Sequence, residues 1–290
     1  MGLRLKFNLA MLFVFGLGLA TSAYVSYELL QKNARDEVLR NAGVMMEAAL
    51  AMRSYTIGHV RPNLKPMDEA FLPESVPSFS ATEIMAQLRK THPDYAYKEA
   101  ALNPTNPRNR AVEWEADIIN EFRNHDDVRE LAGTRTTPTG LSMYLARPLQ
   151  IKDGACLACH TTADAAPLTM VKLYGPANGF GWRLNEVIGA QIVSVPMDLA
   201  IAKANRAFLT FIVSLAGVFV ALFIILNLML SFLIVRPIRT MASAADRIST
   251  GSLDIPELKE SGRDEVSRLA RSFNRMRRSL EKAISLIDDK

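Results

Sequence analysis

Two uninterrupted apolar runs, residues 7–27 and 207–235, contain no charged side chain and constrain this chain more than any other feature. About 20 helical residues cross the hydrocarbon core of a bilayer, so each run is long enough to span it. The second is longer than needed and leaves room for tilt. Charge orients them. Residues 1–27 carry Arg4 and Lys6 and no acid, residues 28–206 are net −1, and residues 236–290 are net +3. Positive flanks stay in the cytoplasm, which places both termini inside and residues 28–206 outside. The expected order is an N-terminal transmembrane helix (1–27), a periplasmic domain (28–206), a second transmembrane helix (207–235) and a cytoplasmic module (236–290). Cleavage after Thr21-Ser22-Ala23, as in a signal peptide, is the competing reading of the first run. Both readings export the middle segment to the periplasm of a cell whose inner membrane holds the protein.

The exported segment contains both cysteines of the chain, in Cys156-Leu157-Ala158-Cys159-His160. Cys-x-x-Cys-His is the attachment signature of haem c. Each thiol adds to one haem vinyl group, the two intervening residues let both reach the same porphyrin edge, and the adjacent His160 supplies an axial nitrogen to the iron. A zinc site would need further Cys or His ligands at suitable spacing, and His59, His92 and His125 are scattered. A thiol–disulfide pair belongs at a strand–helix junction of a βαβ unit, which this stretch does not suggest. The expected cofactor is therefore one covalently bound haem c, with Cys156 and Cys159 as thioether residues and His160 as iron ligand.

For the second axial position, cysteine is excluded because none is spare. His59 is the first candidate. It lies on an expected helix over residues 28–61 that Pro62 stops, and it shares a face with Met52 and Tyr55 at spacings of three and four. A solvated helix-end histidine is the alternative. Met52 and Met67 are weaker candidates, since methionine on an apolar face is usually packing. Phe180 and Trp182, in Gly179-Phe180-Gly181-Trp182, are expected either to wall the haem pocket or to pack under a turn.

The remaining pattern predicts helices over 81–91 and 110–123 and strands over 141–151, 168–173 and 187–195. Helices followed by an antiparallel sheet define an α+β domain. The loop over 103–110, Asn-Pro-Thr-Asn-Pro-Arg-Asn-Arg, reads as a rigid surface turn. The stretches "MRSYTIGHVRP", "FLPESVPSFSA", "HPDYAYKEAALNPTNPRNRA", "CLACH" and "YGPANGFGW" resemble the PAS-like c-type haem domain that occurs alone in some photosynthetic bacteria and as the periplasmic sensor of membrane receptors in others. The resemblance covers residues 51–197. It implies a PAS-like sheet, haem on Cys156 and Cys159, and His160 as axial ligand. One branch of that family uses a cysteine as second ligand, and this sequence has none to offer.

After the second span, apolar positions Ile238, Met241, Ala245 and Ile248 recur at spacings of three and four. A breaker over 250–256 follows. A second run, Val266, Leu269, Phe273, Met276, Leu280, Ala283 and Ile287, alternates threes and fours as a heptad seam does. With Pro237, Asp264-Glu265 and Phe273-Asn274-x-Met276, residues 236–290 look like a HAMP module. That resemblance implies a homodimeric helical coiled coil that relays signals. The arginines at 268, 271, 275, 277 and 278 are interspersed with acids and read as a solvated coiled-coil face, not a nucleic-acid surface.

Composition agrees with a membrane protein: 290 residues are 49% hydrophobic and 22% charged, with a mean hydropathy of +0.07. The net charge of +4 is small for its length. No acid–base pair or nucleophile constellation marks an enzyme. The expected function is a haem-c transmembrane sensor that converts a periplasmic redox or small-gas signal, delivered by a gas ligand or redox partner, into a HAMP conformational change. No kinase signature follows within the sequence, so a separate cytoplasmic output partner is expected. The alternative is a membrane-anchored monohaem electron carrier.

Overall fold

The computed structural model describes residues 2–64, 71–252, 254–259 and 262–288, with side chains to residue 284. Met67, one of the methionines weighed as an iron ligand, and Leu253 in the breaker lie outside the described residues, as does the side chain of Ile287. The chain divides into two compact units, one comprising Tyr27–Ala207 and the other the segments Met1–Ser26 and Phe208–Lys290.

In the first unit, helix α1 (Leu3–Tyr55) carries on past the apolar run without a break, then passes through a π-helical turn (Thr56–Val60) and a 3₁₀ turn (Arg61–Asn63). Pro62 closes it: its ring carries no N–H and forbids another regular turn. Helix α2 (Pro77–Thr91) leads to strand β1 (Ala96–Ala101), helix α3 (Glu113–Asn124), and the hairpin of β2 (Leu131–Thr137) and β3 (Gly140–Gln150). Helices α4 (Leu157–His160) and α5 (Leu168–Tyr174) precede the last strand, β4 (Val187–Pro196). The sheet is antiparallel in the order β1-β4-β3-β2.

β4 is central, and its β-branched run is buried at almost every position because both faces are covered. Val193 and Val195 pack with Val38, Ala42, Met46 and Ala49 of α1 and with Ala81 and Met85 of α2. Ala190 and Ile192 point the other way, onto Ile118, Ile119 and Phe122 of α3. The period of two along the strand separates the layers. The α1 stripe keeps spacings of three and four, as a helix face requires. This is the expected α+β architecture.

One local expectation differs from what is observed, and two strands are not anticipated. Residues 168–173 form helix α5, not a strand. Pro167 starts that helix and Gly175, at φ 83°, stops it, and its 7 residues bury Met170. β1 and β2 carry weak local signals. β1 consists of Ala, Tyr, Lys and Glu, and its pairing with β4 overrides those preferences.

In the second unit, α6 (Asp198–Met229) runs through a π-helical segment (Leu230–Val235) into α7 (Arg236–Ser249). This helix and α1 are each long and apolar enough to cross a membrane. Phe15 and Phe219 stack at 5.2 Å between ring centres. Helix α8 (Glu265–Asp288) begins at Asp264, whose carboxylate accepts the Ser267 backbone N–H at 2.8 Å. Buried Asn274 accepts from the Leu258 N–H (3.1 Å) and donates to the Leu258 carbonyl (2.8 Å), while Arg277 donates to the Ile255 carbonyl. These bonds pin the connector to α8. Leu269, Met276 and Leu280 of the heptad seam remain exposed within one chain.

Candidate haem site

The Cys-x-x-Cys-His motif sits on one short helical stretch. The Asp153 carboxylate accepts the Ala155 N–H at 2.8 Å and starts a 3₁₀ turn over Gly154–Cys156, which α4 continues. The spacing of three places the two thiols on neighbouring turns of one face. Both are free. Burial pushes both thiols up from their ordinary value, while the Arg61 guanidinium opposes that shift at each. A redox-active thiol pair needs the reverse, a lowered pKa. Among the described residues no group of three His, Cys, Asp or Glu could hold a bare metal ion.

His160 is fixed from three sides. Its Nδ1 lies 2.7 Å from the Gly179 carbonyl oxygen and 3.4 Å from Thr105 Oγ1, and its ring stacks on Trp182 at 3.9 Å with 16° between planes. A carbonyl only accepts, so Nδ1 carries the proton and Nε2 keeps its lone pair. Burial lowers the His160 pKa, with the Gly179 carbonyl acting the other way. A neutral imidazole with its second nitrogen bonded to a carbonyl is the form that ligates metal.

The glycine loop depends on that arrangement. Gly179 has φ 83°, and a Cβ there would stand 2.6 Å from Thr105 Cα. Asn103 Oδ1 accepts the Gly179 N–H at 3.1 Å and Asn103 Nδ2 donates to the Phe180 carbonyl at 3.1 Å. The loop over 103–110 therefore braces the loop behind His160, a role its turn-forming composition does not reveal.

Cys156, Cys159, His160 and Trp182 line a cavity of about 350 Å³ together with Arg53, Ile57, Arg61, Glu99, Met170 and Tyr174. His59 is not brought to it: the imidazole is exposed and stacks on Tyr55 at 5.3 Å. Met52 packs against the α1–α2–sheet core. Phe180 does not line the cavity, whereas Trp182 does.

Sequence reasoning missed a buried network at the cavity wall. Arg53 Nη1 donates to both Glu99 oxygens, at 2.6 and 2.5 Å. Glu99, 2% exposed, also accepts from the Tyr97 hydroxyl at 2.7 Å, and Gln191 Nε2 donates to that hydroxyl at 3.1 Å. Burial and the Glu99 charge push the Tyr97 phenol far above its ordinary value. Burial acts against the Arg53 charge, but Glu99 outweighs it and holds the guanidinium above its ordinary value. The one sequence signal is Arg53, a charge directly after the apolar run over 48–52.

An α+β domain, two helices fit to cross a membrane and a helix–connector–helix module together describe a membrane receptor. The Tll0287-like family profile ("Tll0287") matches residues 31–196, more than half the chain, and the HAMP profile ("HAMP domain") matches residues 229–282. The chain belongs to the Tll0287-like family and carries a HAMP domain. No curated protein matches it. Among solved structures, "Crystal structure of the cyanobacterial heme-protein Tll0287" is similar at 17% identity and a TM-score of 0.45, over 55% of this chain and 95% of that one.

Proposed function

We propose that this protein is a transmembrane sensor whose exported domain holds one covalent haem c and passes changes at that haem to the HAMP domain. The carrying observation is the convergence of both thiols and a neutral, carbonyl-anchored His160 on one cavity. That donor set fits haem c. Cys156 and Cys159 would supply the thioether bonds and His160 Nε2 the axial nitrogen. Haem would supply a one-electron couple and an iron that can take a small ligand.

The chain's own groups then do three things. Gly179, Thr105 and Trp182 hold the His160 ring in one orientation. Arg53, Glu99 and Tyr97 join the cavity wall on α1 to β1, and Gln191 extends that network to β4. β4 passes into α6 with Met197 as the only residue between them. That link is stiff: the Met197 N–H donates to the Leu141 carbonyl at 2.8 Å, and Met197 is 1% exposed. The two elements joined by the network, α1 and β4, are those that continue into apolar helices. A charge or ligand change at the cavity thus acts on both membrane-entering elements, and a two-state helical module is suited to read it.

The charge asymmetry supports a periplasmic sensor domain with both termini cytoplasmic, in the inner membrane. The exposed Leu269, Met276 and Leu280 support a homodimer, because a heptad seam is stable when buried against a partner helix. Output passes to a cytoplasmic partner, and the sensor and relay domains point to signalling in place of catalysis.

The test is to produce the full chain in a strain competent for cytochrome c maturation. We expect a Soret band and a protein mass raised by one haem, both lost together in Cys156→Ser/Cys159→Ser. A mass equal to that of the polypeptide alone rejects the proposal. For signalling, cysteines placed at 269 and 276 should crosslink between subunits at different rates in oxidised and reduced membranes. Identical rates reject redox sensing.

A further inference from the structure

The wall of the cavity formed by α1 and the turns after it carries two guanidiniums, Arg53 and Arg61, with Ile57 between them at spacings of four. That spacing puts all three on one helical face. Among the described residues Glu99 is the carboxylate paired with these charges; Asp153 also lines the cavity, and its carboxylate accepts the Ala155 N–H. Arg53 spends Nη1 on Glu99, and its Nε and Nη2 donors have no partner among the described residues. Arg61 makes no side-chain hydrogen bond or ion pair among the described residues. Both guanidiniums line the same cavity as Cys156 and Cys159.

Glu99 makes this a built site. Its carboxylate is 1% exposed and clamped by Tyr97, so Arg53 is held in place before anything binds. Guanidinium is planar and always charged, and its paired N–H groups match the oxygens of a carboxylate or a small oxyanion.

We propose that Arg53 and Arg61 form an anion site in the haem cavity, one that takes a carboxylate or a small inorganic oxyanion. This rests on the haem reading. Two sources share that chemistry: a propionate of the haem itself, or a diffusible anion that enters the cavity. Arg53 and Arg61 bind and position the anion.

The experiment uses the full-length, haem-loaded protein in nanodiscs. Variants are Arg61→Gln, Arg61→Lys and the double Arg53→Met/Glu99→Gln, which removes a buried pair without leaving one charge alone. Haem loading is checked first by mass and Soret absorbance, so a failure there is a failure of the haem reading and is separate from this one. Sodium nitrite is titrated into the ferric protein, with imidazole as the neutral control. For a diffusible anion, nitrite shifts the Soret band, its affinity falls about tenfold or more in Arg61→Gln and in the double variant, Arg61→Lys retains most of it, and imidazole binding is unchanged. For a propionate, nitrite does not shift the band, but the midpoint potential in anion-free buffer falls in Arg61→Gln and in the double variant. A tenfold change in the ferric–ferrous equilibrium corresponds to about 59 mV for one electron, and Arg61→Lys restores the wild-type value. Wild-type nitrite response and wild-type potential in both charge-removing variants would overturn the proposal.

Discussion

The Nδ1 of His160 lies 2.7 Å from the carbonyl oxygen of Gly179, nineteen residues along the chain. That contact selects the imidazole tautomer, and it exists because Gly179 adopts φ 83° with Thr105 against the space where a side chain would be. Gly179→Ala therefore meets both a left-handed backbone and a clash. The backbone strain alone costs about 1–3 kcal/mol. We expect a lowered melting temperature for the haem-loaded protein and a shifted Soret maximum. A variant that melts as wild type with an unchanged spectrum would mean that the 103–110 loop yields freely.

The Arg53–Glu99 pair gives a second prediction. Arg53→Met leaves a carboxylate buried without its partner, and breaking a buried pair in this way costs about 3–5 kcal/mol. Removing both charges, as Arg53→Met/Glu99→Met, should recover most of that loss. Urea unfolding of the two variants against wild type measures the difference. A single variant as stable as wild type would show that Glu99 is not confined as described.

In the HAMP domain, Asn274 ties both the N–H and the carbonyl of Leu258 to α8. Asn274→Ala strips two bonds from a buried polar contact, at a cost of about 1–3 kcal/mol. Limited proteolysis should then cut the connector over 254–259 faster than in wild type. Equal cleavage rates would place the restraint on the connector elsewhere.

Acid should loosen the start of α8. Hydrogen bonds from the Ser267 side chain and backbone hold the Asp264 carboxyl below its ordinary value. A folded pKa below the unfolded one means that the contribution is complete above the unfolded value, about 3.9, and is lost as pH falls through the folded value. Helical ellipticity at 222 nm should decline over that acid range in wild type. Asp264→Asn, which keeps a capping oxygen but does not titrate, should remove this component. The same decline in both proteins would assign it to other carboxyls.

Much of the architecture was legible in the sequence because its signals are local. Charge-free runs, the heptad spacing from Val266 onward, the β-branched run of β4 and the Cys-x-x-Cys-His spacing each fall within one element. Contacts between distant segments were not legible. His59 satisfies the helical pattern that made it a candidate ligand, yet it lies in the π-helical turn, exposed and stacked on Tyr55, and does not line the cavity. The segment 168–173 is short and apolar enough to read as a strand, yet it folds as α5 between Pro167 and Gly175.

By itself, then, the sequence determined the apolar spans, the α+β class, the heme-attachment signature and the HAMP pattern, since each depends on residues within a few turns of one another. Only the tertiary structure decided which imidazole nitrogen is spent on Gly179, that Thr105 and Asn103 stand behind it, and that Arg53 and Glu99 meet at the cavity wall. Those relationships join residues 19 to 76 positions apart. Such pairs form where packing of the whole domain brings them together, and no local preference encodes that.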